Sequence, residues 1–414
     1  MNILFIYTAL PKGGIETFFV RMASKLFEKG HSLRFLFFTN NNDEELLNEL
    51  KKYARIYFIN DYLYLPSFLK NKSPLYKLLF PLKYKKLFKE VLCDVDHLHA
   101  PDYNSILYYN KISSKKDQFT CSTGVYHINE YNFHDFKNWY FGKSIINFIQ
   151  KLPAKNILFF NEISNQFYNT IYSNKFKESL ITPIGIDVSA FKDEFVGKQN
   201  NRIVSIGRLS SWKKYNFHMI EAVHSLQQQG ITIQYDSYGD GDQLEVLNTL
   251  VTKYNLNDLV TFHNGIPYSK FKATISNSLL FIGAGTALIE ASACGIPALI
   301  GIENETKPVS YGFLHNVTSY SYQEQQLPYE RKEITQFILH LFNCDETTYK
   351  NECEKAKLRA NDFSIDKTVS DFEKICSNSE KIKLNSNYFK LARIVLSMFI
   401  NKIVNSKSNY STRL

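Results

Sequence analysis

The sequence predicts an α/β protein of two tandem domains, each a doubly wound parallel sheet wrapped by helices. Short apolar runs of one-strand length alternate with stretches of helical period, and this alternation occurs in two separate series. The chain of 414 residues is also longer than one hydrophobic core usually organises, so two cores are expected.

The elements come in order. Residues 2–7 (NILFIY) have the pattern of a buried strand, and Gly13 and Gly14 mark a loop. A helical period over 15–29 ends at Gly30, before a strand at 33–38. Further strands are expected at 55–59, 95–99, 118–125 and 156–160, each separated by a helix. A second series begins at 202–207 (RIVSIG) and continues at 231–238, 259–263, 279–283 and 298–300. Between the two series, DEFVGKQNN is polar and lacks an apolar period. The expected organisation is therefore a first domain over 1–187, a linker over 188–201, a second domain over 202–378 and an amphipathic helical tail over 379–414.

Composition narrows the class. A hydrophobic fraction of 44% and a charged fraction of 21% are those of a globular protein, and exclude a disordered chain or a polytopic membrane protein. The cysteines at 93, 121, 294, 344, 353 and 376 form no C-x-x-C pair and have no histidine at zinc spacing, which speaks for a reducing compartment and against a metal site. The first apolar run is one strand long and has no basic flank, so a cytoplasmic protein is expected. A formal charge of +9 suits an anionic partner. Nucleic acid is not the expected one, since no binding module or basic–aromatic platform is evident.

In open parallel sheets, ligands sit beyond the carboxyl ends of the strands. After the strand at 202–207 the chain reads GRLSSWKKYN, which places Arg208 and Lys213 on a loop entering a helix, two cations able to surround a diphosphate. Read alone, they are equally two solvated surface charges. After the strand at 279–283 comes GAGTALIEASACGIP. There Gly283 and Gly285 allow backbone N–H groups to approach an anion, and Thr286 opens a helix whose positive end favours phosphate. Glu290 lies next among small apolar neighbours, in a semi-buried position from which it can accept hydrogen bonds from sugar hydroxyls.

The series PIGIDVSAF, IGRLSSWKK, YGDGDQLEVL, VTFHNGIP and FIGAGTALIEASACGIPAL resembles glycosyltransferase family 4, the retaining transferases of GT-B fold. The similarity spans about residues 1–300 and is strongest over 183–300. It implies two Rossmann-like domains facing a cleft, with C-terminal helices. It further implies that Arg208 and Lys213 bind the donor diphosphate and that Glu290 binds the nucleotide ribose. KGGIET resembles the family's Gly-rich loop, whose Gly13 and Gly14 would let the backbone approach donor phosphate or acceptor. His127, in STGVYHINEY, matches the histidine beside the transferred sugar, and His97 and His99 match an H-x-H strand end that packs or lines the cleft. Asp94–Asp96 and Asp240–Asp242 are D-x-D strings, but they fall in the family's strand and G-x-G turn, so neither a metal nor another cofactor is expected.

The implied function is retaining sugar transfer from a nucleotide-diphosphate donor, UDP-sugar by frequency, to a glycan or glycolipid such as a lipid-linked O-antigen or capsule intermediate. The sequence also departs from the family pattern. Ile282 stands where the first of two glutamates belongs, Ala284 and Lys214 replace common residues, and Asn264 takes a frequent glycine position. The alternative is thus a catalytically silent nucleotide-sugar-binding subunit of a transferase complex. Seven lysines over 66–92, interleaved with Tyr, Phe and Leu, suit an anionic membrane surface at the inner face of the plasma membrane. In the tail, YFKLARIVLSMFINKIV places Lys390, Arg393, Ser397 and Asn401 along a polar stripe of an apolar helix, which is too short and too charged to span a bilayer.

Overall fold

The structure, a computed structural model, describes residues 1–11, 13–70, 73–113, 119–191, 197–198, 201–382 and 388–404. Parts of the expected linker (192–196, 199–200) and tail (383–387, 405–414) lie outside the described residues, as does Lys72 of the basic stretch. The chain forms two compact units, one of Met1–Thr182 with Thr368–Leu414, the other of Pro183–Lys367.

In the first unit, β1 (Asn2–Tyr7), β2 (Ser32–Phe37), β3 (Ala54–Phe58), β4 (His97–His99), β5 (Thr120–Val125), β6 (Ile157–Phe159) and β7 (Leu180–Ile181) form one sheet in the order β3-β2-β1-β4-β5-β6-β7. Every neighbouring pair is parallel. β1, β2 and β6 are mostly apolar and buried, as expected of parallel strands covered by helices. Among those helices are α1 (Gly14–Glu28), α2 (Tyr103–Ser113) and α3 (Tyr140–Lys151). α1 buries Phe18, Phe19, Met22 and Leu26, each contributing about 1.5–3 kcal/mol of transfer free energy. The arrangement matches the expected α/β class; the strands that were expected differ from the observed ones only at their ends, whereas β7 and a short antiparallel pair at Val309–Ser310 and Lys332–Glu333 were not expected.

The second unit repeats the pattern with β8 (Arg202–Ile206), β9 (Gln234–Tyr238), β10 (Val260–His263), β11 (Leu280–Gly283) and β12 (Ala298–Ile300), in the order β10-β9-β8-β11-β12 and again all parallel. α4 (Tyr215–Gln228) comes after β8, and α5 (Thr286–Ala293) after β11. The strand order reverses between β1 and β4 in the first sheet and between β8 and β11 in the second. These are the switch points beyond which open α/β sheets leave a ligand crevice.

The last two helices are α6 (Ile365–Asn378) and α7 (Tyr388–Val404). Phe372 of α6 stacks on Phe5 at 5.6 Å and meets His99 edge-on at 5.1 Å, while Asp371 accepts a 2.9 Å hydrogen bond from Thr182. Ile394, Val395 and Met398 of α7 join the core of the first unit. The basic stretch is not one helix: short helical turns at Pro74–Lys77 and Tyr84–Leu87 break it, and Lys77 is wholly buried, donating to Phe38 O at 2.8 Å.

Candidate functional site

In the second unit, the loop leaving β8 is held from one side by the Gly239–Gly241 turn. Leu209 N donates to Asp240 O at 3.0 Å and Gln243 N to Leu209 O at 3.2 Å. The approach is so close that a Cβ on Gly239 would stand 1.9 Å from Gly207 O, and one on Gly241 2.0 Å from Leu209 O. Only glycine permits this contact. The loop then exposes Arg208 and turns through a Lys213 N to Ser210 O bond of 3.0 Å into α4. The Lys213 ammonium lies 5.1 Å from the Trp212 ring centroid and against Gly207. Burial lowers its pKa, the Glu303 carboxylate opposes the shift, and the Arg208 charge adds to it.

Across the switch point, Gly285 adopts φ +68° and ψ −159°, a conformation that is essentially glycine-only, and caps α5 without any side-chain cap. Its N–H instead donates to the side-chain oxygen of Gln323. Thr286 begins α5, and Glu290, one turn on, is buried and accepts a 3.0 Å hydrogen bond from Tyr268 OH. A chain of hydrogen bonds joins the two loops: Asn304 N donates to Trp212 O, and Glu303 N to Gln323 O, each at 2.8 Å. Arg208, Lys213, Gly285 and Thr286 thus lie on the two loops flanking the switch point, with Glu290 deeper on the helix. Ile282 is fully buried in the core of this unit.

Sequence reasoning did not single out Tyr268, Glu303, Gln323 or Glu324. Glu303 was within reach of it, since it sits in the loop directly after β12; Gln323 and Glu324 belong to a segment without periodicity. Burial raises the pKa of Glu303, against the Lys213 charge. It pushes Glu324 up to about 7, against that residue's own backbone hydrogen bond and with the Glu303 charge adding.

In the first unit, Gly13 precedes α1 in extended backbone and is covered by the Glu16 carboxylate, which would stand 2.3 Å from a Cβ at that position. Tyr7 OH donates to Glu16 at 3.1 Å. Asp102, beyond β4, accepts from Thr8 Oγ1 at 3.3 Å and from the backbone and hydroxyl of Ser105 at 2.6 and 2.7 Å, which caps α2. His127, beyond β5, is exposed, and its Nδ1 accepts from Asn129 N at 3.2 Å. Three residues on, Glu130 is pushed up to about 8 by burial, with the Asp102 charge adding. Gly13, Gly14 and His127 therefore border the same sheet edge as Glu16, Asp102 and Glu130, three carboxyls that carry no sequence motif. His97 and His99 are interior: their ring nitrogens bond Thr120, Ser122 and Tyr126 at 2.7–2.8 Å, and burial lowers both pKa values.

The D-x-D strings have local partners. Asp94 takes a bidentate contact from Arg34 at 2.6 and 2.8 Å, Asp96 accepts from Asn2 N at 2.7 Å, and Asp240 accepts from Gly265 N at 3.3 Å.

Residues 189–306 match the family of glycosyl transferases group 1. The colanic acid biosynthesis glycosyltransferase WcaL of Escherichia coli K12 is 29% identical over 134 residues, covering 29% of this chain and 32% of that protein. The match thus spans about a third of the length of the curated relative. Among solved structures, a glycosyltransferase from Rickettsia africae superposes with a TM-score of 0.65 at 18% identity, over 91% of this chain and 99% of the other. HepE of Anabaena, solved with UDP-glucose, gives a TM-score of 0.60 at 15% identity, over 91% and 98%. At these identities the structures speak for the fold alone. Residues 189–306 are thus similar to the glycosyl transferases of group 1, and the chain shares the fold of these solved glycosyltransferases.

Proposed function

We propose that this protein is a retaining, metal-independent glycosyltransferase of bacterial surface polysaccharide synthesis. It would move a sugar from a UDP-sugar to a lipid-linked glycan at the inner face of the plasma membrane. The observation that carries this reading is the placement of two cationic side chains, and of a helix start whose N-cap residue is a glycine, on the two loops flanking one switch point. Arg208 and Lys213 would grip the donor diphosphate together with the Gly285–Thr286 helix start, and Glu290 would hold the ribose. Gln323 occupies the Gly285 N–H, so a bound phosphate would replace its side chain there.

The chemistry is governed by charge. As the anomeric carbon–oxygen bond breaks, negative charge collects on the departing diphosphate, and cations already in place stabilise it. The acceptor hydroxyl attacks the anomeric carbon from the same face, and its proton passes to a donor phosphate oxygen. His127 would serve the transferred sugar, and Gly13 and Gly14 would let the backbone approach donor phosphate or acceptor. Lys213 suits this role because burial disfavours its charge, and a diphosphate would supply the counter-charge that restores it.

One observation favours a second reading. Ile282 is buried in the core at the position where the family carries a sugar-facing carboxylate, which fits a subunit that binds nucleotide sugar without turnover. Thermal-shift measurements with UDP, GDP and their sugars test binding, because a ligand of the folded state raises its melting temperature. Release of UDP from a donor separates the two readings. Stabilisation without any release or transfer would favour the silent subunit, and no stabilisation by any nucleotide would remove both.

A further inference from the structure

The C-terminal helix α7 is amphipathic in an unusual sense. Leu391, Ile394, Val395 and Met398 pack inward. The expected polar stripe divides: Ser397 Oγ accepts from Tyr140 N of α3 at 3.1 Å and Asn401 is buried, while Lys390 and Arg393 are exposed, the Arg393 guanidinium 4.2 Å from the Tyr140 ring centroid. Apart from these two cations and Lys402, the outward surface of the helix is apolar. Phe389, Leu396, Phe399, Ile400, Ile403 and Val404 are all exposed, Phe389 to 79% and Ile403 to 59%. At 100° per residue, Phe389, Leu396, Ile400 and Ile403 fall on one side of the helix. Contiguous exposed side chains of this size mark an interaction surface.

The surroundings say what kind of partner fits. α2, α3 and α7 contain no Asp or Glu, and the stretch 66–92 sets one, Glu90, against seven lysines. They form one layer of the first unit: Tyr108 OH of α2 donates to Pro74 O at 2.8 Å, Lys111 Nζ to Leu78 O at 2.7 Å and Tyr109 OH to Ile382 O at 3.2 Å, while α3 holds α7. Lys85, Lys86 and Lys89 of the basic stretch, Lys143 and Lys151 of α3, and Lys402 of α7 are exposed on it. Phe68 and Tyr64, 76% and 64% exposed, add further apolar surface to the basic stretch. A second copy seated on this face would bring two lysine-rich layers of net positive charge together and meet like-charge repulsion. Residues 405–414 are polar and hold no apolar run to cover the stripe. No helix among the described residues is long and apolar enough to cross a membrane.

We infer that the outward face of α7 is a bilayer-docking surface, its apolar stripe entering the interfacial region of an anionic membrane while the lysines of the surrounding layer meet the headgroups. This surface would carry the membrane association of the function proposed above. It stands independently of the donor, because docking is measured without nucleotide.

The test is co-sedimentation of the full chain with vesicles of phosphatidylcholine and phosphatidylglycerol in equal parts, and with phosphatidylcholine alone. Binding is expected to the mixed vesicles, strongest at low salt. The combined variant Phe389→Ser, Leu396→Ser, Phe399→Ser should lose about tenfold or more in affinity. Lys85→Gln, Lys86→Gln, Lys89→Gln should lose a similar factor on mixed vesicles and weaken the salt dependence. These side chains are exposed, so the variants should keep the parent's melting temperature and its response to UDP, which separates failure of docking from failure of the donor reading. Absence of binding by the parent protein, or undiminished binding by the apolar variant, would overturn the inference. So would a concentration-dependent dimer of the parent that the apolar variant dissolves, since the face would then belong to a second copy.

Discussion

Lys213 is half-buried, and burial lowers its pKa; in the proposed reading the donor diphosphate would restore its charge. Replacing Arg208 or Lys213 with Ala should lower transfer by about 10²–10³-fold, the scale of a lost charge-stabilising donor, in single-turnover assays. Glu130 supports a different prediction, on stability. Its carboxyl is pushed up to about 8, so between its ordinary value of about 4.3 and that pH the folded state binds more proton than the unfolded state. Stability attributable to Glu130 is therefore lost as pH rises through this window. Glu130→Gln should remove that loss, so urea melts near pH 5 and pH 8 should differ less for the variant than for the parent. An equal difference in both would mean that Glu130 is ionised in the folded protein at neutral pH.

Among the elements, the start of α5 is the most constrained. Gly285 sits at φ +68° and ψ −159°, where a side chain costs about 1–3 kcal/mol, so Gly285→Ala should lower unfolding free energy by that amount in urea titration. The loops on which the proposed donor grip rests were legible in the sequence because glycines and cations directly after strands are local signals: GRLSSWKK and GAGTALIE announce their turns by composition. Most strands were legible for a similar reason, as short runs bounded by polar segments, but the two-residue β7 was too short to stand out. Gln323, which takes the Gly285 N–H, could not be read this way. Its place depends on how the segment after β12 folds back, and no periodicity records that path. Glu16, Asp102 and Glu130 show the same gap, since they converge only when β1, β4 and β5 become neighbours.

At the scale of the molecule, the chain returns to its beginning. Thr368–Leu414 belong to the unit that starts at Met1, so the first unit is completed by residues from both ends of the sequence. Met398 is buried in that unit, and Met398→Ala should cost about 2–5 kcal/mol. In scanning calorimetry only the transition of the first unit should move, while a UDP-dependent transition of the second unit stays in place. A shift of both would show that the units unfold as one.

The sequence by itself determined the α/β class, the two series of parallel strands, and the cations and glycines of the proposed donor grip, because each is written in local periodicity or in the residues of a single turn. Tertiary structure decided the rest. It placed the return of α6 and α7 onto the first unit, the convergence of three carboxyls at one sheet edge, and the seating of Ser397 of α7 against α3. The reason is physical: which face of a helix meets water depends on what it packs against, and that partner, 257 residues away in the hydrogen bond from Tyr140 to Ser397, leaves no trace in the helix's own pattern.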